Sequence, residues 1–320
     1  MKTLRRTGMA APVFVTLACA SQIVGQSGPS QQDQPIYSLK LPVDEVSLTF
    51  QATDDQGRAI DDLKVDDLKL LDNGAPARRI VSFEPIKDAP VRSGILMDSS
   101  DSMEPNQERS RSVAAEVLSS LNQQPTDRAF VMDFGGLSLI AQDWTHDSSA
   151  LEAAIRNHKV ASDAGGSLRG TALLDSLYRA CLNEFGHADS LRSRNVIILF
   201  SDGVDNSSRS DIRLVLDECQ KTNTTIFAFR FDPQGTASTG PATLAELATK
   251  TGGRVFHGDD AETQIADDIS LIESDLRNRY RLTFKPPEVK HDGAFHRIEL
   301  MAPARLVYFR VQSGYYTPVR

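Results

Sequence analysis

The ten residues GILMDSSDSM, at positions 94–103, form an apolar run that stops at a carboxylate and continues with hydroxyls at alternate positions. A short apolar run is typical of a buried parallel strand, and the polar residues after it are typical of a loop. In an extended loop the side chains of residues i, i+2 and i+4 point the same way, so Asp98, Ser100 and Ser102 can converge. The stretch therefore predicts an oxygen-rich loop that can hold a hard cation such as Mg²⁺.

Two later stretches supply oxygens of the same kind. The residues GTALLD at 170–175 predict a helix that opens at Thr171 with an exposed hydroxyl, and VIILFSDG at 196–203 predicts a second buried strand that ends near Asp202. Small polar residues after a strand more often form an ordinary turn and N-cap. The three stretches together favour a metal site over that interpretation.

The middle of the chain alternates between strand and helix patterns. Predicted strands lie near residues 94–98, 128–134, 195–200, 225–231 and 254–256, and apolar residues at helical spacing separate most of them. This order predicts an α/β fold on a doubly wound, mostly parallel, Rossmann-like sheet. In such sheets ligands bind outside the carboxyl ends of the strands. Sheet topology and the polar loops therefore predict the same edge for the metal.

Both ends of the predicted α/β region are flanked by short β patterns. A hairpin through Asn73-Gly74 is predicted to join residues 68–71 to 80–83, and further strands are predicted at 46–50 and after residue 278. Because neither set alone has a core, we expect one small β-rich domain from both ends. The predicted order is a signal peptide (1–26), a flexible linker (27–40), an N-terminal β segment (41–88), the α/β domain (89–277) and a C-terminal β segment (278–320).

The first residues have the pattern of an export signal. Bases precede an apolar core at residues 9–20, and Ala18-Cys19-Ala20 offers a cleavage site, with Gln26 as a later alternative. A lipoprotein anchored at Cys19 is disfavoured, because Thr16 stands where lipoprotein signals usually have Leu or Val. No later stretch approaches the roughly 20 apolar residues of a membrane span. We therefore expect a periplasmic or extracellular protein without a transmembrane segment.

Net charge, the cysteines and the histidines give no sign of nucleic-acid binding or of a further reactive site. The 35 basic and 43 acidic residues give a formal charge of −8, which is not a nucleic-acid-binding composition. Cys181 and Cys219 lie on apolar helix faces; a disulfide stays open, but unpaired core cysteines are favoured. The histidines are interpreted as solvated side chains: His146, His158, His187, His257, His291 and His296.

The three polar stretches at 94–103, 170–175 and 196–203 resemble the von Willebrand factor type A domain with its metal-ion-dependent adhesion site. In that family a D-x-S-x-S loop, a threonine at a later helix and an aspartate after a later strand bind Mg²⁺ or Mn²⁺ together. The flanking sequence resembles a subgroup of bacterial exported proteins in which the domain lies between short β-rich segments. The resemblance runs from about Val46 to the end of the chain. It implies these metal ligands, some direct and some through water: Asp98, Ser100, Ser102, Thr171 and Asp202.

One departure from the family is Asp101, where glycine usually lies between the two serines. Its carboxylate could strengthen cation binding, occupy the position of an outside ligand, or point to solvent, and the solvent interpretation is favoured. Asp143, Asp205 and Asn206 could extend the metal-binding edge. For the last two we favour a turn that leads to an N-cap at Ser210.

The resemblance implies a non-enzymatic, adhesion-type binding protein. A cation held by two aspartates and three hydroxyls stays electrophilic, so it would accept a carboxylate from an exposed Asp or Glu of a partner protein. The alternative is a structural or assembly scaffold of the cell envelope, in which the ion only stabilises the loops. A phosphatase-like use of Asp98 as nucleophile is disfavoured, because Ser100 stands where a second acid would be needed. The oligomeric state stays open.

Overall fold

The computed structural model describes residues 45–86, 89–159, 170–186, 193–231 and 239–317. The predicted signal peptide and linker lie outside these residues. The strands and helices, in chain order, are β1 (Val46–Thr53), β2 (Lys69–Asp72), β3 (Ala75–Pro76), β4 (Arg79–Pro85), β5 (Val91–Asp98), α1 (Gln107–Leu121), β6 (Arg128–Phe134), β7 (Ser138–Thr145), α2 (Ser148–Asn157), α3 (Leu173–Arg179), β8 (Arg194–Ser201), α4 (Ile212–Lys221), β9 (Thr224–Arg230), α5 (Gly240–Thr251), β10 (Val255–His257), α6 (Glu262–Arg277), β11 (Arg279–Lys285), β12 (Phe295–Met301), β13 (Tyr308–Val311) and β14 (Gly314–Tyr316).

The central sheet has six strands in the order β10-β9-β8-β5-β6-β7, and all pairs are parallel except β6 with β7. Its middle strands β5, β8 and β9 are buried along nearly their whole length because helices cover both faces. Residues of α1, α2 and α6 pack on one face, and residues of α3, α4 and α5 pack on the other. The predicted α/β, doubly wound, mostly parallel sheet is confirmed.

The β-rich part is also built from both ends of the chain, as predicted. One sheet has the order β13-β1-β11-β4 and the other β14-β12-β2-β3. The antiparallel pairing of Val46 with Phe284 in the first sheet joins the two ends directly. Shared pairing supplies a core that neither segment has alone.

The predicted hairpin between residues 68–71 and 80–83 is wrong in its second strand. The chain does turn at Asn73-Gly74, where both residues have positive φ, but it turns into the two-residue strand β3. Strand β4 leaves for the other sheet, where Phe83 pairs with Leu282. The ring of Phe83 stacks on Tyr280 with a centroid separation of 5.1 Å. This aromatic burial outweighs the local continuation of the hairpin.

A buried charge cluster joins the β-rich part to α6. The Asp275 carboxylate accepts a hydrogen bond of 2.5 Å from Arg310 of β13 and lies 3.6 Å from Nε of Arg254. Arg279 of β11 donates to the Asp275 carbonyl at 2.8 Å and to the Thr225 hydroxyl at 2.7 Å. Burial lowers the pKa of Arg279 to about 10, although Asp275 opposes this. The polar contacts between the β-rich part and α6 therefore centre on the Asp275 carboxylate.

The favoured interpretation of unpaired cysteines is wrong, because Cys181 and Cys219 form a disulfide. Cys181 lies in a π-helical turn, Ala180–Glu184, that continues α3, and Cys219 lies in α4. Both helices pack on the same face of the sheet, which brings the two Cα atoms to 5.0 Å. Sequence spacing does not contain this information, since it depends on how the two helices face each other.

Removing the disulfide is expected to lower the free energy of unfolding by about 2–4 kcal/mol, because the bond closes a long loop in the unfolded chain. The measurement is urea denaturation of the wild type and of Cys181→Ala/Cys219→Ala. Wild type reduced with a thiol serves as the matched control and should unfold at the midpoint of the double variant. Identical midpoints for oxidised and reduced wild type would contradict the prediction.

The interpretation of all histidines as solvated is wrong for two of them. His158 is 1% exposed, and its Nδ1 lies 2.8 Å from an Asp133 carboxylate oxygen. His296 is 5% exposed, and its Nδ1 lies 2.7 Å from Asp72, which also accepts a hydrogen bond from the Tyr315 hydroxyl. Each buried imidazole is thus hydrogen-bonded, as buried polar groups usually are. His187 lies outside the described residues.

Candidate metal centre

Two buried aspartates meet where β5 and β8 end. The parallel pairing of Met97 with Phe200 sets Asp98 beside Ser201, and Asp202 follows. Asp98 is 1% exposed; one carboxylate oxygen accepts the backbone N–H of Ser100 at 2.9 Å, and the other accepts the Ser201 hydroxyl at 2.5 Å. Asp202 is also 1% exposed. The predicted meeting of these two carboxylates at the carboxyl edge of the sheet is therefore present in the structure.

Burial disfavours negative charge on Asp98, and the nearby Asp202 adds to the effect. Burial raises the pKa of Asp98 to about 6, and the charge of Asp202 adds to the rise. Hydrogen bonds from Ser100 and Ser201 oppose it. Near neutral pH, ionised Asp98 is therefore unfavourable in the folded protein. A bound cation would stabilise this ionised carboxylate.

Asp202 offers the clearest test of whether a cation fits. Its Oδ1 accepts the backbone N–H of Val204 at 2.9 Å. Its Oδ2 is buried and has no hydrogen-bond partner among the described residues. Since buried carboxylate oxygens are nearly always paired, this atom fits a metal ligand or an acceptor from a metal-bound water.

The hydroxyls of the 98–102 loop complete one side of the centre. Ser100 is buried and Ser102 is exposed, yet their hydroxyl oxygens are only 3.1 Å apart. The alternate spacing thus brings both serines together, as predicted. Asp101, between them, is exposed, in agreement with the solvent interpretation.

Thr171 lies two residues before α3 rather than opening it, and it is 2% exposed. The prediction of an exposed hydroxyl is therefore wrong. Its backbone N–H donates to the Asn206 side chain at 2.8 Å, and its carbonyl accepts the backbone N–H groups of Asn206 and Ser207 at 3.0 and 3.1 Å. These contacts fix Thr171 against the loop that follows Asp202.

The end of β6 ties the first and second loops to each other. The Ser99 N–H donates to the Phe134 carbonyl at 2.6 Å, and the Ala172 N–H donates to the next carbonyl, Gly135, at 2.7 Å. The neighbours of Asp98 and Thr171 are therefore anchored on consecutive residues. Together with the Thr171–Asn206 bonds, they gather all three predicted loops at one edge of the sheet.

Asp205 and Asn206 have a positioning role that the sequence interpretation missed. The N-cap of α4 is Asp211, not Ser210, and accepts the Leu214 N–H at 2.9 Å. One Asp205 oxygen accepts the backbone N–H groups of Ser207 and Ser208, as the predicted turn requires, and the other accepts the Leu174 N–H of α3 at 2.8 Å. The missed signal is Ala172, which stands at the N-cap of α3 and has no side-chain acceptor for the first N–H groups of the helix. That helix needs an acceptor from elsewhere, and the loop after Asp202 supplies it.

Asp143 does not belong to this edge. It is exposed on β7 beside Gln142, which pairs with Val131 in the middle of β6. The carboxyl end of β6 pairs instead with the start of β7. The predicted ligands at the edge are two carboxylates and three hydroxyls, a hard donor set suited to Mg²⁺ or Mn²⁺. Within the described ranges, no group of three or more His, Cys, Asp or Glu is arranged to hold a metal.

No helix in the described parts of the chain combines the length and apolarity that crossing a membrane requires.

No curated protein sequence matches the chain significantly.

A family model does match: the model for the von Willebrand factor type A domain aligns with residues 94–270. Among solved structures, the chain is similar to BatB from Bacteroides thetaiotaomicron, with 14% identity and a TM-score of 0.45 over 57% of this chain and 97% of that one. An aerotolerance-related membrane protein from Bacteroides fragilis gives 15% identity and a TM-score of 0.43, over 56% and 98% of the chains. Proximal thread matrix protein 1 from the mussel byssus, solved with a zinc-occupied MIDAS motif, gives 17% identity and a TM-score of 0.47, over 64% of this chain and 49% of that one.

Proposed function

Because the chain belongs to the von Willebrand factor type A domain family, we propose that it is a non-enzymatic binding protein whose metal centre captures a carboxylate of a partner protein. The ligands would be the five oxygen-bearing residues at the sheet edge, some through water: Asp98, Ser100, Ser102, Thr171 and Asp202. Mg²⁺ or Mn²⁺ is the proposed ion, and it supplies a Lewis-acidic position for an outside oxygen.

The observation that carries the proposal is the unpartnered, buried Oδ2 of Asp202 beside Asp98, whose pKa is raised to about 6. Two buried carboxylates of this kind call for a cation. Only two of the five proposed ligands carry charge, so the ion would keep attraction for a further anion. A site with more carboxylates would neutralise it. The export pattern of residues 1–26 supports a location outside the cytoplasm.

The alternative is a scaffold in which the ion only holds the loops together. The hydrogen bonds of Ser99, Ala172 and Asn206 already join the loops to one another, so the ion would bind between loops that are held together in either case. The two functions differ in whether an outside carboxylate reaches the ion. Carboxylate-dependent binding that needs metal supports the adhesion-type function, and metal-dependent stability without such binding supports the scaffold.

Calorimetric titration of Mg²⁺ and Mn²⁺ into the chain without its signal is expected to show one site. Asn206→Ala, which keeps every proposed ligand but removes the acceptor for the Thr171 N–H, should weaken affinity about tenfold. Asn183→Ala, at an exposed position in the turn after α3, is the matched control. Asp101→Gly should change affinity little, since Asp101 is exposed. Absence of binding to the wild type would overturn the proposal.

A further inference from the structure

Two exposed leucines lie beside the metal centre. Leu137 and Leu139 are 60% and 68% exposed, at the turn between β6 and β7 and at the start of β7. Two accessible leucines two residues apart form a small apolar surface, and its position next to a candidate site makes it a contact surface for whatever binds there. We call this pair the leucine patch.

The strand register sets the distance from the patch to the centre. Asp98 pairs with Phe134, and Phe134 pairs with Ser138, so Ser138 lies level with Asp98 two strands away. Neighbouring strands are 4.7–4.9 Å apart, so this separation is about 10 Å. Leu137 and Leu139 flank Ser138. The turn itself is tight, with the Gly135 N–H donating to the Leu137 carbonyl at 2.9 Å.

The turn and the metal centre share a fixed frame. The Gly135 carbonyl accepts the Ala172 N–H, next to Thr171, and the preceding Phe134 carbonyl accepts the Ser99 N–H, next to Asp98. The leucine patch is thus held at a set distance from the proposed ligands. The loop after Asp98 carries the exposed acids Asp101 and Glu104, which would repel a strongly acidic partner. A single acid with an apolar neighbour therefore fits this surface better than an acidic run.

We propose that the partner contributes an extended segment in which one aspartate or glutamate lies three residues from a large apolar side chain. This inference rests on the proposed function and names the partner's chemistry. In a polyproline-II segment, residues three apart project on the same side and are separated by about 9 Å. The carboxylate completes the coordination of the cation while the apolar side chain covers Leu137 and Leu139. Removal of this apolar contact should weaken binding about tenfold.

The test uses biotinylated peptides assembled on streptavidin, so that four copies raise the apparent affinity. One pair of peptides carries leucine three residues before or after a single aspartate. Controls replace the leucine by alanine or the aspartate by asparagine. Binding to the wild type is measured with Mn²⁺ and with a chelator. We expect one leucine–aspartate peptide to bind about tenfold more tightly than its alanine counterpart, only with metal and only with the aspartate.

Variants then separate this inference from the proposed function. Leu137→Ser/Leu139→Thr should bind Mn²⁺ normally by calorimetry and should bind the leucine and alanine peptides equally. Leu306→Ser, at a leucine that is 67% exposed in the β-rich part, should behave as wild type. Equal binding of both peptides to the wild type, lost in Asp98→Ala, overturns the inference and leaves the proposed function standing.

Two other results would overturn the proposed function as well as this inference. Peptide binding that persists in Asp98→Ala, or no peptide binding by a protein that binds Mn²⁺, overturns the carboxylate-capture function together with the inference. Sedimentation of the wild type and the leucine variant tests a second copy of the chain as the occupant. Self-association that is lost only in Leu137→Ser/Leu139→Thr would assign the patch to a dimer and would also overturn the inference.

Discussion

Without divalent ions at pH 7.5, Asp98→Asn is expected to be more stable than the wild type, and saturating Mg²⁺ is expected to reverse that order. Burial and the charge of Asp202 raise the pKa of Asp98 from 3.8 to about 6. A carboxyl whose pKa is raised by folding favours the folded state when protonated. This contribution is complete below pH 3.8 and is lost as the pH rises through about 6. Ionised Asp98 therefore costs the metal-free protein about 3 kcal/mol at neutral pH.

Asparagine removes that cost and keeps the shape of the site. Its carbonyl can still accept the Ser100 N–H, and its amide can donate to the Ser201 hydroxyl, which reverses the direction of the present bond. The variant loses a charged ligand, so Mg²⁺ should no longer stabilise it. For the wild type, ion at 100 times its dissociation constant should add about 2.7 kcal/mol.

The measurement is urea denaturation of both proteins at pH 5 and 7.5, with chelator and with Mg²⁺. The advantage of Asp98→Asn in chelator should shrink toward pH 5, because the wild-type carboxyl then becomes protonated. Asp101→Asn, at the exposed acid of the same loop, is the matched control and should follow the wild type. Equal stabilisation of wild type and Asp98→Asn by Mg²⁺ would exclude Asp98 as a ligand.

The parts of the fold that could be predicted are those set by local patterns. Ile95, Leu96 and Met97 are consecutive and apolar because helices cover both faces of their strand, and such a run identifies a central parallel strand from sequence. Parallel strands align their carboxyl ends, so the positions of Asp98 and Asp202 at one edge followed from strand order. Alternate spacing predicted that the serines converge on Asp98, and the family resemblance added the proposal that Thr171 is a ligand.

The features that were missed depend on which distant elements face each other. Thr171 is buried because Asn206 and Ser207 cover its backbone, and no local pattern records that contact. The pairing of Cys181 with Cys219 likewise requires the relative orientation of α3 and α4. Local turn chemistry explains Asp205 equally well as a turn residue, so its bond to Leu174 is visible only in the folded chain. Each miss concerns a polar or sulfur atom whose partner is far away in sequence.

The second large effect is expected at the junction of the β-rich part with α6. Asp275→Asn should lower the free energy of unfolding by about 3–5 kcal/mol, because it leaves the buried guanidinium of Arg279 and the partly buried one of Arg310 without their anion. The side chain of Asp275 is 2% exposed and is bonded to Arg310, while Arg279, which is 5% exposed, lies in its field. Burial raises the pKa of Asp275 although Arg254 and Arg279 oppose that rise, so the loss expected in Asp275→Asn comes from the arginines, which keep their charge when the carboxylate is removed.

The comparison that isolates this effect uses an exposed ion pair of the same β-rich part. Asp62 and Arg305 are 2.9 Å apart with side chains 70% and 37% exposed, so Asp62→Asn should change stability by less than about 1 kcal/mol. Arg310→Met in the Asp275→Asn background should cost little more, because the pair is already broken. Urea denaturation measures all three variants. If Asp275→Asn unfolds with the midpoint of Asp62→Asn, the junction does not depend on this carboxylate, and apolar packing of β1, β11 and β13 must hold the two parts together.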